Sequence, residues 1–312
     1  MNDRFRFATA PVSWGVGDYA DESWEQPYEG ILDEIAGCGY TGTELGPFGY
    51  FPTDPDVLRP VLERRGLKML SSFVPVALAD ADGAAKVIEH IRQVGALLSA
   101  MGAPSIVLAD EQSPKRERVA GRVPGDGSEG LNAQQWRNVA SIVAAAKEVA
   151  SDFGLDIVFH PHVATYVETP AEVATFFDAT CVSGIGLCLD TGHCYYGGGD
   201  PVEEADKYKA ILRYLHIKDI DRKMLDECHR RELDFNQAVE AGVFTTIGDG
   251  CLDFPAFFTR AAANGYRGWC VVEQDIKFGV STVAPKQSMG ASLRYLRGVV
   301  QSSSPSLENL SS

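Results

Sequence analysis

GIGLCLDTGH, residues 184–193, is the stretch on which the reading of the chain turns. Ile185, Leu187 and Leu189, separated by small residues, make a short apolar run. A strand buried on both faces of a parallel sheet or barrel has this pattern. The run stops at Asp190, and His193 follows three positions later. A carboxylate and an imidazole at the point where a buried strand opens into a loop can ligate Mn, Co, Zn or Fe(II). They can equally be a helix N-cap beside a histidine satisfied by the backbone. The metal reading gains weight because the same event recurs at other strand ends.

Outward from this stretch, strands and helices alternate. On the N-terminal side, strands are expected within 5–14, 40–45, 67–74 and 104–108, and after the long helix 132–153 a fifth spans 155–160. The first four are followed by helical spacing over 24–38, 55–65 and 84–101 and then by that long helix, and the fifth by a helix at 170–178. On the C-terminal side, helices at 201–212, 254–264 and 283–300 alternate with strands at 214–217 and 266–273. Eight strands and eight helices in this order define an α/β chain, a (β/α)8 TIM barrel, as a single domain over residues 1–300. Residues 301–312 are expected to form a disordered tail. A doubly wound open sheet is the alternative, but no glycine-rich phosphate turn follows the first strand. Two segments stand outside the alternation. Residues 110–130 are polar, charged and glycine-bearing, which suits a lid, a binding loop or disorder. Residues 219–253 interrupt the barrel after the seventh strand. They are expected to fold over the mouth and supply specificity, or else to serve assembly.

Composition bounds the function. Among 312 residues, 28 are Lys or Arg and 43 Asp or Glu, a net charge of −15 that disfavours a phosphate backbone as partner. The seven cysteines form no CxxC pair and sit mostly in apolar runs, which points to a reducing compartment. The first residues carry no apolar signal core, and no stretch of about 18 apolar residues could span a membrane. A cytoplasmic protein with neither a nucleic-acid nor a membrane partner is the expectation.

In a barrel of this kind the active site lies at the C-terminal ends of the strands. Those ends carry Glu44 on the second strand, His160 and His162 on the fifth, and Asp190 and His193 on the sixth. The seventh carries His216 and Lys218, and the eighth Glu273 and Asp275. Four of the six histidines therefore fall at one predicted rim, and only His90 and His229 lie elsewhere. Period-two alternation turns His160 and His162 the same way, so either can be the ligand. The metal set carried forward is His162, Asp190, His216 and Glu273, with His160, His193, Glu44 and Lys218 as candidate acids and bases. Trp14 is a candidate apolar wall for a sugar ring, against ordinary packing, and Asp249 and Asp275 are candidate substrate contacts. Imidazole with carboxylates suits Mn²⁺ or Co²⁺, with Zn²⁺, Fe²⁺ and Mg²⁺ as further options.

HPH at 160–162, LCLDTGH at 187–193, LHIKD at 215–219 and VVEQD at 271–275 together resemble the xylose-isomerase-like barrels. Within these, LDFNQAVEAGVFTTIGDGCLDF at 233–254 and GYRGWCVVEQD at 265–275 resemble the inosose dehydratases of myo-inositol catabolism. APVSWGV at 10–16, GYTGTELG at 39–46 and RRGLKML at 64–70 agree with that family's opening. The resemblance implies a divalent metal and loss of water from 2-keto-myo-inositol to give a diketone. It implies Glu, Asp, His and Glu as ligands on the fifth to eighth strands, and here the fifth offers histidine. It also implies a homo-oligomer, tetramer or dimer.

The chemistry expected is elimination from a polyhydroxy ketone. A Lewis acid holds the developing enediolate, a base takes the α proton and an acid protonates the departing hydroxyl. An isomerase or epimerase shares the enediolate, and a 3-keto-glycoside lyase is a third reading. A DNA-repair endonuclease would want a basic groove. A non-catalytic sugar-binding barrel would not need the whole ligand set.

Overall fold

The computed structural model describes residues 4–17, 21–280 and 283–302. The expected tail at 301–312 lies almost wholly outside the described residues. Strands β1 (Phe5–Thr9), β2 (Gly42–Thr43), β3 (Lys68–Met69), β4 (Phe73–Val76), β5 (Ser105–Asp110) and β6 (Asp156–Phe159) belong to one parallel sheet. So do β7 (Gly186–Asp190), β8 (Leu212–Ile217) and, after an insertion, β11 (Gly268–Val272). The order is β3-β2-β1-β11-β8-β7-β6-β5-β4. Its two edges, β3 and β4, are halves of a single expected strand. Between them Leu70 N–H donates to Thr43 O, Ser71 O accepts from Leu45 N–H, and Ser72 O accepts from Val107 N–H. The sheet therefore closes on itself through residues 70–72 as an eight-stranded barrel.

The helices end where local chemistry dictates. Thr169 caps the helix Pro170–Thr180 in a reciprocal box with Glu172, and Pro170 sits in the first turn where no amide is needed. Asn132 and Gln135 do the same for Ala133–Asp152. The first helix starts at Tyr28 rather than 24, because Pro27 separates it from a 3-10 turn at Glu22–Glu25. Apolar faces of the helices pack on the outer face of the sheet, joining Ile31, Leu98, Ile142 and Phe257 to Phe7 and Ile157 in one core.

The two unusual segments both lie over the C-terminal face. Residues 110–130 are ordered, not structureless: Ser113 caps a short helix, Pro114–Glu117, and the Ser113 amide donates to Ala164 O. The insertion contains β9 (Asp219–Ile220), helices Arg222–Arg230 and Phe235–Glu240, and β10 (Phe244–Thr245), antiparallel to β9. Its Phe235, Phe244 and Leu225 form a second small core with Ala120, Val163 and Tyr196. Asp219 ties its return to the barrel by accepting from the amides of Gly248, Gly250 and Leu252 at 2.9, 3.1 and 3.1 Å. A Cβ on Gly250 would come within 2.3 Å of Asp219 Oδ1 and 2.6 Å of Ile220 O. Gly250→Ala should therefore cost about 1–3 kcal/mol, the usual range for overpacking, read as a shifted urea midpoint.

Candidate active site

The mouth of the barrel holds a cavity of about 400 Å³. Its lining includes Glu44, His160, His162, His216, Lys218, Glu273 and Asp275 from the strand ends. Asp110 closes β5, Glu111, Gln112 and Glu117 come from the segment after it, and Phe235, Asn236 and Val239 from the insertion. Asp190 and His193 lie buried at the ends of β7 and its following turn.

The geometry of Asp190 suits both readings of its motif. Its Oδ1 accepts from the His193 amide at 2.8 Å and caps the helix Thr191–Tyr196. Its Oδ2 turns inward, 3.3 Å from His160 Nε2, 3.2 Å from Lys218 Nζ and 3.9 Å from His216 Nδ1. His216 Nε2 lies 3.0 Å from Glu44 Oε1, which also accepts from Ser71 Oγ at 2.8 Å. Its other nitrogen, Nδ1, is 3.1 Å from Glu273 Oε2. Burial alone would lower the His216 pKa, but the acidic groups around it, Cys188, Glu273 and Glu44, hold it well above the ordinary value. With carboxylates on both sides, this ring demands positive charge: a proton on Nδ1 or a cation in its place. Among the described residues, Glu44 Oε2 and His160 Nδ1 are further buried polar atoms without a hydrogen-bond partner. His160, Asp190 and His216 have ligand atoms within 4.8 Å of one another, as do Glu44, His216 and Glu273. The donor set fits a divalent ion held by His216 Nδ1, Asp190, Glu273 and His160, with Glu44 orienting the imidazole from behind.

Lys218 completes the floor. Its ammonium lies 3.2 Å from Asp190, 3.1 Å from Glu273 and 2.9 Å from Asp275. Burial would lower its pKa, but these three carboxylates outweigh it and raise the pKa well above the lysine value. A charged lysine only donates, so His193 Nε2, 3.0 Å away, accepts from it. Asp275 Oδ2 stands 3.2 Å from the same nitrogen. Burial and then the Lys218 charge push His193 well below the usual histidine range. His162 is pushed down likewise, by burial and then by His193. Its Nδ1 lies 2.7 Å from Val163 O, which can only accept, so Nδ1 carries the proton and Nε2 keeps its lone pair.

The sequence expectations are thus partly regrouped. Asp190, His216 and Glu273 converge as expected. His160, not His162, stands with them, because the strand ends at Phe159 and the chain turns at Pro161, which carries the second histidine toward His193, ring centroids 3.8 Å apart. Glu44 backs His216 instead of standing free as an acid or base. Trp14 is no cavity wall: it is buried in the 3-10 turn Pro11–Trp14, and its indole donates to Glu34 Oε2 at 2.7 Å. Asp249 is exposed on the turn that Asp219 holds and does not line the cavity. Asp110 was missed, although IVLAD has the same form as the other strand ends, an apolar run closed by a carboxylate. Burial lifts its pKa to about 6 against the amides of Tyr166 and Leu78. Phe235 and Asn236 had no local sign, since only the folded insertion brings them over the mouth.

Such a centre on such a barrel defines a class, and sequence comparison agrees: residues 32–299 match the family described as the xylose isomerase-like TIM barrel. The chain belongs to that family. It is 31% identical over 278 residues to the inosose dehydratase of Geobacillus kaustophilus, covering 87% of each chain. It is 33% identical over 270 residues to the rhizopine catabolism protein MocC of Rhizobium meliloti, covering 86% of this chain and 81% of that one. Among solved structures, an L-ribulose 3-epimerase superposes with a TM-score of 0.72 at 17% identity, covering 98% of both chains. The IOLI protein with a bound zinc atom superposes with a TM-score of 0.71 at 13% identity, covering 96% of this chain and 100% of that one. These two likenesses speak for the fold.

Trp14→Phe tests the reassignment of that residue. It should cost about 1–3 kcal/mol by removing a hydrogen bond to a carboxylate, read by urea unfolding, and leave the KM for substrate unchanged.

Proposed function

We propose that the protein is a metal-dependent hydro-lyase that removes water from 2-keto-myo-inositol in inositol catabolism. The observation that carries the reading is the buried His216, flanked by Glu44 and Glu273 and joined by Asp190 at the floor of a polar cavity. The inosose dehydratases related to the chain along 87% of its length give the substrate class. A divalent ion, Mn²⁺ or Co²⁺ by preference, would be held by His160, Asp190, His216 and Glu273. When bound it supplies Lewis-acid stabilisation of charge developing on the ketone oxygen.

The remaining groups divide the proton work. His162 is held well below the usual histidine pKa, keeps the lone pair on Nε2 and lines the cavity, so it is placed to take the proton α to the ketone. Lys218 stays protonated at neutral pH and is the donor for the departing hydroxyl, which leaves as water. His193 and Asp275 fix the ammonium in place. Phe235 and Phe244 cover the histidines and limit water, with Phe235 5.6 Å from the His162 ring and Phe244 5.3 Å from His193. No helix among the described residues is long and apolar enough to cross a membrane. A small keto-cyclitol is the partner, and a homo-oligomer remains part of this proposal.

An epimerase or isomerase would share the proton abstraction, so the product decides. Metal-loaded protein incubated with 2-keto-myo-inositol should generate the diketone chromophore, and recovery of an isomeric ketose alone would refute the dehydratase. Asp190→Ala and Glu273→Ala should each abolish turnover and bound metal, measured by elemental analysis, while circular dichroism stays unchanged. The pH dependence follows from His216. Its raised pKa means that a proton competes with the metal, so affinity should weaken as pH falls, by about tenfold per unit while one proton is displaced. Competition with a fluorescent chelator at several pH values measures this slope.

A further inference from the structure

Glu117 lines the cavity, yet among the described residues its carboxylate makes no hydrogen bond or ion pair. Its neighbour does the opposite. Arg116 is 0% exposed and forks onto Glu172, with Nη1 to Oε1 at 2.6 Å and Nη2 to Oε2 at 2.9 Å. Nη1 also donates to Glu129 O at 3.2 Å. Glu168, 3.8 Å from the same guanidinium, accepts from the amides of Gly121 and Ala164 at 2.6 and 2.8 Å. One buried cation therefore fastens the segment after β5 to the helix cap at Glu172 and to the loop that follows His162. A carboxylate on so firmly anchored a turn, facing a cavity with no partner of its own, is built for a ligand.

The charge of the cavity says which ligand. Its lining holds six carboxylates, Glu44, Asp110, Glu111, Glu117, Glu273 and Asp275, against one ammonium, Lys218, which three carboxylates already surround. No arginine faces it among the described residues. A phosphate group would meet repulsion from these carboxylates, and no side-chain cation of the lining is free to bind it. Vicinal hydroxyls of an uncharged polyol, in contrast, can both donate to a single carboxylate. We infer that Glu117 is a specificity-determining residue that accepts hydrogen bonds from ring hydroxyls and restricts the site to unphosphorylated polyols, with Arg116 as the residue that positions it. The inference rests on the keto-cyclitol reading for its substrate.

The test combines calorimetry with kinetics on the metal-loaded protein, using 2-keto-myo-inositol, myo-inositol and myo-inositol monophosphate. Glu117→Ala should weaken binding of both unphosphorylated cyclitols about tenfold or more, the worth of hydrogen bonds to a charged group, and raise KM more than it lowers kcat. Glu117→Gln should narrow the preference for myo-inositol over its monophosphate. Arg116→Lys, which cannot fork onto Glu172, should raise KM in the same way with bound metal unchanged. Binding and KM in Glu117→Ala within about twofold of the parent would overturn the role of Glu117. So would a parent protein that binds the monophosphate as well as myo-inositol. Absence of the diketone in the parent, with cyclitol binding still dependent on Glu117, would overturn the dehydratase alone. Absence of any cyclitol binding would overturn both.

Discussion

The structure depends on an excess of negative charge gathered at one end of a barrel. Asp190, Glu273 and Asp275 converge on a single ammonium, that of Lys218, and Glu44 and Glu273 flank one imidazole. Buried carboxylates are costly unless paired. Here the pairing is incomplete: the Lys218 ammonium and the one histidine held well above its ordinary pKa, His216, do not balance the set, and burial pushes the pKa values of His160, His162 and His193 down. The shortfall is what makes the centre a candidate cation site. It also explains why Lys218 keeps its proton although it is buried.

The barrel sheet could not hold this arrangement without help from the segments beyond it. Asp219 lies one residue past Lys218, and its carboxylate faces away from the cavity, taking three amides of the returning insertion. The strand end thus anchors the cover as well as the chemistry. On the other side of the mouth, Arg116 anchors the segment after β5, and Ala164, at φ 69°, links that segment to the histidine-bearing loop. The cover and the loop share a small core in which Val163 and Ala164 pack with Phe235 and Phe244. The walls of the cavity are thus tied to one another as well as to its floor.

Asp190 shows how one geometry can suit two readings of a motif. One carboxylate oxygen caps a helix and the other points at the cluster. Capping orients the carboxylate, and that orientation makes it available to a cation. The pair His160 and His162 shows the opposite lesson. Alternation along a strand would turn both rings the same way, but the strand stops at Phe159 and the alternation stops with it. Only one ring then reaches Asp190, and the other meets His193.

The sequence by itself determined the alternation of strands and helices, the barrel class and the strand-end origin of Asp190, His216, Lys218 and Glu273. These are encoded locally, in hydrophobic period, in caps and in the abrupt end of apolar runs. Tertiary structure alone decided which histidine joins the cluster, that Glu44 stands behind His216, that Trp14 is packed away from the cavity, and that Glu117 and Phe235 border it. Each of these depends on where a chain goes after its strand has ended. That course is set by contacts between segments far apart in sequence, such as Arg116 with Glu172 and Trp14 with Glu34, which no local pattern records.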